Sequence, residues 1–346
     1  MTISVLIPTY NAATTIEATL ASVFRQTVQP DEIIVLWDGG TDDTLDRIKR
    51  FEDRITIVRQ ENHGVACTRN RLAEMAMGDI LAFLDHDDLW HPKYLDVQRT
   101  LLRDYPEALA SISGHVDFTG ADYVWPEDPD TDRANAQWIN QVDFFKRYNV
   151  TTGLFGSMSF ACVRKSAMKR LGPEPFQFSG VDDSYLFYLV SLFGGVVFFK
   201  SPLVAYRVSE GSFSANRLKM LPQWVKAFEA LEPKFRKSNV KALRQAFPRA
   251  YAVKRRHYAK VLLGAGRTVE ARQQLLQSMA NCRQSSSVGK SLALWAASWL
   301  PCFLQPKWPS SSRGAAGLAG APQAFSPAAA AGKFQNEESR LPGSVP

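Results

Sequence analysis

The sequence predicts an α/β fold, a mostly parallel sheet flanked by helices and followed by a basic helical region. Three observations carry that expectation. Apolar runs of strand length at residues 3–7, 33–37, 55–58 and 80–84 alternate with helical patterns, the signature of βαβ units. The fourth run stops abruptly at Asp85-His86-Asp87-Asp88, three carboxylates in four positions. Charge also changes sign along the 346 residues: 1–216 hold 20 Lys/Arg against 29 Asp/Glu, net −9, whereas 217–290 hold 17 against 3, net +14. Two modules with different partners follow from that asymmetry.

Residues 3–7 predict the first strand. Neither a basic leader nor a long apolar stretch precedes it, so the expectation is a cytoplasmic chain that begins on a strand. Asn11-Ala12-Ala13-Thr14 supplies a turn, and Ile16, Leu20, Val23 and Phe24 then recur at helical spacing. The second strand, 33–37, ends in Asp38-Gly39-Gly40-Thr41-Asp42-Asp43-Thr44 and precedes a helix at 45–51. The third, 55–58, leads through Glu61-Asn62-His63-Gly64 into a helix at 65–77 stopped by Gly78.

After a helix at 92–103 the alternation weakens. The pattern predicts a strand at 109–118, an acidic loop at 120–132, a helix at 137–148, a strand at 156–163 and a short helix at 165–171. Asp182-Asp183-Ser184 then opens an apolar helix at 185–193, and strands follow at 196–199 and 203–208. Residues 217–264 read as helical and basic, with Pro222, Pro233 and Pro248 as breaks. Further helices are expected at 268–282 and 291–300, the latter with Trp295 and Trp299 four apart. Residues 306–346, rich in Pro, Gly, Ser and Ala, predict disorder. The expected domains are 1–216, 217–305 and 306–346.

Composition narrows the class. The chain is 45% apolar and 22% charged, as globular proteins are, and no run reaches the ~18 apolar residues of a spanning helix. Cys67, Cys162, Cys282 and Cys302 form no CxxC pair, which predicts reduced thiols rather than a disulfide scaffold or a zinc site. GxGxxG and GxxxxGK[ST] are both missing, which argues against nicotinamide cofactors and P-loop hydrolysis.

Carboxylates this close at the end of a buried strand raise one another's pKa unless a cation joins them. Oxygen ligands without thiolates select Mn²⁺ or Mg²⁺ over zinc, and on a strand period His86 alternates away from the flanking Asp side chains. The alternative is an acidic cap on the following helix. Asp38 and Asp182-Asp183 are further acids able to converge on the same sheet edge. A diphosphate held through a metal, with a second carboxylate taking a proton from an attacking hydroxyl, needs acids in two such separate places.

At this point the residues resemble a family. Ser4-Val5-Leu6-Ile7-Pro8-Thr9-Tyr10-Asn11, Trp37-Asp38-Gly39-Gly40-Thr41-Asp42-Asp43-Thr44, Glu61-Asn62-His63-Gly64-Val65-Ala66-Cys67-Thr68-Arg69-Asn70 and Leu84-Asp85-His86-Asp87-Asp88 resemble the successive motifs of family 2 inverting glycosyltransferases of the GT-A fold, over roughly 2–210. The resemblance implies a nucleotide-sugar donor, UDP-linked. Pro8, Thr9 and Tyr10 line the nucleoside pocket, Asp38 accepts the imide N–H of uracil or thymine, and Asp85 approaches ribose and donor. Asp87, helped by Asp88, holds the metal, Arg69 and Asn70 steady the donor loop, and Arg207 is available to the diphosphate. It implies Asp183 as the general base. The local alternatives are helix caps for Asp42 and for the Asp182-Asp183 pair, and surface ion pairs for Arg69 and Arg207. Three positions depart from the family pattern: Trp37 replaces a carboxylate, Gly40 a Ser, and Ser209 stands where many relatives place a His near the metal.

The implied activity is metal-dependent, inverting transfer of a sugar to a hydroxyl of a glycan or lipid-linked acceptor, in cell-surface polysaccharide or glycolipid synthesis. The rivals are an inactive GT-A module and a sugar nucleotidyltransferase, whose Gly-rich basic phosphate loop Asn11-Ala12-Ala13-Thr14 lacks. Lys234-Phe235-Arg236-Lys237, Lys254-Arg255-Arg256 and the Trp295/Trp299 helix suit the anionic inner face of a membrane, with a solvated basic face as the alternative. No recognition motif supports nucleic-acid binding.

Overall fold

β1 (Ile3–Thr9) is buried along its whole length, as a strand covered on both faces must be. In this computed structural model, which describes residues 1–126, 128–150, 157–209, 216–282 and 285–300, the chain continues through α1 (Ile16–Phe24), β2 (Glu32–Trp37), α2 (Thr44–Lys49), β3 (Thr56–Arg59), α3 (Val65–Met75) and β4 (Ile80–Phe83). β2 and β4 flank β1, both parallel to it, and β3 lies outside β2, again parallel. The βαβ expectation is met here.

The second half of the sheet is mixed. It is built from β5 (Leu89–Trp90), α4 (Tyr94–Asp104), β6 (Ala110–Phe118), β7 (Ala136–Ile139), α5 (Gln141–Val150), β8 (Ala161–Arg164), α6 (Lys165–Leu171), α7 (Asp182–Phe193) and β9 (Val196–Arg207). The strand order is β3-β2-β1-β4-β8-β6-β9-β5, with β7 also on β9. β8 runs antiparallel to β4 and β6, while β9 is parallel to β6.

Three sequence expectations change. The helix expected at 137–148 begins later, because Gln137, Trp138 and Ile139 pair with Phe198, Val197 and Val196, and Asn140 Oδ1 then accepts from the Val142 and Asp143 amides. The two strands expected at 196–199 and 203–208 are one, bent by a register shift beside Gly114, where a Cβ would lie 2.5 Å from the Lys200 carbonyl oxygen. The prolines do not break the C-terminal helices. Pro222 and Pro233 lie inside α8 (Arg217–Arg236) and Pro248 inside α9 (Lys241–Gly264), and the break falls between these helices.

α10 (Thr268–Asn281) and α11 (Ser285–Ala297) complete the described chain. The C-terminal helices share the core of the sheet unit. Phe145 of α5 meets Phe235 at 5.1 Å, and Tyr188 of α7 meets Phe228 at 5.0 Å.

The basic cluster on α9 is turned inward, unlike a lipid-facing patch. Arg255 donates to Glu229, Gln274, Gln277 and the Tyr251 hydroxyl, and Arg256 to Ser287 Oγ at 2.8 Å. Lys254 lies 3.9 Å from the Trp224 ring, and burial pushes its ammonium down to about 8. Lys234, Arg236 and Lys237 remain exposed. Among the described residues no helix is long and apolar enough to cross a membrane. The expected disorder at 306–346, and Cys302, lie outside the described residues.

Candidate active site

β4 ends at Phe83, and the chain turns through 85–88 with the Asp88 amide donating to the Asp85 carbonyl at 3.2 Å. Once the strand has ended, its two-residue alternation no longer applies. Asp85, His86 and Asp87 all face one cleft, so His86 does not alternate away from its neighbours. Thr19 of α1 fixes this turn by donating to the carbonyls of His86 and Asp88. None of these acids caps the next helix, since α4 begins at Tyr94 after Lys93.

The cleft, about 240 Å³, opens at the carboxyl ends of β1, β2 and β4, the usual ligand position in an open α/β sheet. Pro8 and Thr9 come from β1 and Tyr10 from the turn just after it, while Asp38 directly follows β2. Tyr10 is exposed, while Thr9 is buried and donates its hydroxyl to the Leu36 carbonyl. Asp38 is buried and largely engaged by its own chain. Its Oδ1 accepts from Gln60 Nε2 at 2.6 Å and the His63 amide at 2.9 Å, its Oδ2 from the Gly64 amide at 2.9 Å. Of roughly four acceptor positions on a carboxylate, one remains for a ligand. Asp42 is not the cap of α2, a position held by Asp43; it accepts from the Thr44 amide and hydroxyl and from the Ala13 amide, and so ties the β1 loop to the start of α2.

Arg69 of α3 is buried rather than part of a surface pair. One terminal nitrogen meets Asp85 Oδ1 at 2.5 Å, the other Asp182 Oδ2 at 2.5 Å. Burial would lower the guanidinium pKa, but Asp182, Asp85 and Asp183 together raise it above the ordinary value. At Asp85 burial works upward and Arg69 overcomes it, leaving the carboxyl below its usual range. Asn70, next on α3, lies off the cleft wall and clamps the Phe176 backbone instead, donating to its carbonyl at 2.8 Å and accepting from its amide at 3.0 Å.

Asp182 and Asp183 occupy the first turn of α7, whose cap residue Val181 has no capping side chain. Asp182 is buried on Arg69. Asp183 is half-buried, and burial with the neighbouring Asp182 charge pushes its carboxyl up to about 7.

Asp87 and Asp88 diverge. Asp87 faces the cleft, its carboxylate receives no side-chain or amide donor from another described residue, and burial with Asp85 nearby raises its pKa. Asp88 is fully buried off the cleft, its two oxygens accepting from the Arg207 amide at 2.9 Å and Ser157 Oγ at 3.1 Å. Burial and the Asp87 and Asp85 charges push it well above the usual range. Arg207 likewise stays off the cleft. Its Nε donates to the Asp87 carbonyl at 2.8 Å, its NH2 nitrogen to the Ala121 carbonyl, and its guanidinium lies over Phe118.

Among the described residues no three His, Cys, Asp or Glu side chains form a metal-holding group. A closed protein cage therefore does not fit. A hard cation held by one or two protein ligands and completed by substrate phosphates does, at Asp87, whose carboxylate is unengaged beside the orphaned His86 Nδ1.

Sequence reasoning missed His86, Val65, Thr68, Ser157 and Tyr206, which complete the cleft. Ser157 is central, within hydrogen-bond reach of Asp85, Asp88 and Ser159. Its only sequence signal was a place at the start of an expected strand. The strand that forms is β8, after a short 3₁₀ turn at Met158–Phe160.

The model of the family described as glycosyl transferase family 2 matches residues 4–172. The chain is 29% identical over 235 residues, 63% of its length and 82% of the relative's, to the Escherichia coli UDP-Glc:α-D-GlcNAc-diphosphoundecaprenol β-1,3-glucosyltransferase WfaP. It is 43% identical over 99 residues to validoxylamine A glucosyltransferase of Streptomyces hygroscopicus subsp. limoneus, covering 27% of this chain and 22% of that one. The fold is shared with residues 1–349 of Staphylococcus aureus TarS, solved with UDP, at a TM-score of 0.58 and 15% identity over 81% of this chain and 80% of that one. With its GT-A-like sheet and the motifs that ring the cleft, the chain carries a glycosyl transferase family 2 domain over residues 4–172 and is a glycosyltransferase.

Proposed function

We propose that this enzyme transfers a sugar, with inversion, from a UDP-linked donor to a hydroxyl of a lipid-linked or glycan acceptor, in cell-surface polysaccharide or glycolipid synthesis. The supporting observation is the pairing, through Arg69, of the cleft acid Asp85 with the Asp182-Asp183 turn: one acidic set faces the donor cleft, and a second acid beside it has a pKa near 7. WfaP, by its name, uses UDP-glucose and a diphosphoundecaprenol acceptor, which supports the donor and acceptor classes.

In this reading Pro8, Thr9 and Tyr10 border the nucleoside, Asp38 offers its remaining lone pair to the base, and Asp85 faces the ribose. Asp87 would hold Mn²⁺ or Mg²⁺, which when bound neutralises charge on the departing diphosphate. Asp183 takes the acceptor proton as the hydroxyl oxygen bonds to the anomeric carbon and the bond to the diphosphate breaks, a single displacement that inverts the centre. Arg69, Asn70, Asp88 and Arg207 hold these groups in place. Residues 1–216 form the catalytic unit, with 217–305 appended.

The test is UDP release from UDP-glucose with Mn²⁺ and a GlcNAc-diphospholipid acceptor. Acceptor-dependent release with a β-linked product, lost on chelation and in Asp87→Ala, is the expected result. Release untouched by either would refute the metal assignment, and an α-linked product the inversion.

A further inference from the structure

α11 carries one charged residue, Lys290, although it packs on the outside of the protein. Its inner side is held by polar contacts, Arg256 reaching Ser287 and Ser291 and Arg272 of α10 reaching Ser298 just beyond the helix end. The opposite side is apolar and open. Leu292 is 51% and Trp299 60% exposed, with exposed Gly289, Ala293 and Ala296 at helical spacing around them. Arg272 also stacks on Trp299 at 3.4 Å, and Val269 and Leu276, on the same face of α10 as Arg272, are exposed. Two helices thus present bare apolar side chains on either side of the Arg272–Trp299 pair.

Cations frame this face. On α9 the exposed Arg249 and Lys260 share a face, and Arg249 stands close enough to Arg256, the residue that docks α11, for its charge to be felt there. Arg249, Lys260 and Lys290 have no acidic partner among the described residues. An uncharged Leu/Trp face with a basic surround matches the chemistry of an anionic lipid surface. The other occupants fit poorly. A second copy would bring like charges together across the contact, and residues 301–346 hold 4 Lys/Arg against 2 Glu and offer no acidic complement.

We propose that the outward face of α11, with Val269 and Leu276 of α10, docks on an anionic phospholipid bilayer with α11 in the plane of the headgroups. The inference rests on the lipid-linked acceptor reading for its purpose, and its test does not depend on sugar transfer.

The full chain is sedimented with sucrose-loaded vesicles of equal phosphatidylcholine and phosphatidylglycerol, or of phosphatidylcholine alone. Wild type is expected to sediment with the anionic vesicles only, the Leu292→Glu/Trp299→Glu double variant about tenfold less, and Arg249→Glu/Lys290→Glu several-fold less. Circular dichroism and vesicle-free UDP release should stay unchanged, so failure of docking is distinguishable from failure of the transferase reading. Equal sedimentation of wild type and double variant would overturn the proposal, as would equal binding to both vesicles. So would a wild-type dimer that the double variant converts to monomer, or binding lost only when 301–346 are removed.

Discussion

Arg69 and Asp182 lie 113 positions apart in the chain and meet at 2.5 Å inside the protein, while the other arm of the same guanidinium holds Asp85. The cleft-facing turn at 85–88 and the start of α7 therefore share one cation. Replacing Arg69 by Met leaves the buried Asp182 and the half-buried Asp85 without it, and the expected cost is about 3–5 kcal/mol of stability. Urea unfolding measures this, and a loss below about 1 kcal/mol would mean the bridge is not formed.

Asp183→Asn should lower kcat by about 10²–10⁴-fold, the usual range for a lost general base, with KM for the donor little changed. In the wild type, kcat should rise with pH through about 7 as the carboxyl ionises. Stability should move the other way. The folded carboxyl binds its proton more tightly than the ordinary value of 3.8 implies, so its stabilising contribution is present below about pH 4 and lost as pH climbs through about 7. Asp183→Asn should thus raise stability above pH 7, where the wild-type carboxyl is ionised. Thermal melts at pH 5 and 8 test the sign.

Neighbouring acids should respond differently to substitution. Asp87→Asn is expected to abolish Mn²⁺-dependent release while leaving the melting temperature unchanged or higher, because no donor from another described residue depends on that carboxylate. Asp88→Asn resembles the protonated acid and should be tolerated, whereas Asp88→Ala strands the Arg207 amide and should cost about 1–3 kcal/mol. Melting curves and activity for the three variants separate the two roles.

Arg256→Ala should loosen α11, since this side chain joins α9 to Ser287 and Ser291. Limited proteolysis is expected to cut near 283–291 at least about fivefold faster than in wild type, while the sheet unit stays intact, as sub-global opening allows. Uniform acceleration along the chain would point instead to global unfolding.

The parts of this architecture visible in sequence were those governed by local pattern. The first four strands and the helices between them follow from periods of 2 and 3.6, and the acids at 85–88 stand out because they end an apolar run. Long-range pairing leaves no such trace. Nothing near Arg69 announces Asp182, and Ser157 reads as one more small polar residue before a strand. Local rules also misled where tertiary contacts outweighed them. Pro222, Pro233 and Pro248 sit inside packed helices, and Arg255 and Arg256 looked like surface charge until Glu229 and the serines of α10 and α11 enclosed them.

Asn70 and Arg69 are consecutive on α3, and each grips a different point of the segment leading into α7, one at the Phe176 backbone and one at Asp182. A single rigid rod thus fixes the spacing between the cleft-facing turn after β4 and the start of α7. Under the proposed function that spacing is the gap across which the sugar passes, and a loop elsewhere in the chain can change length without widening it.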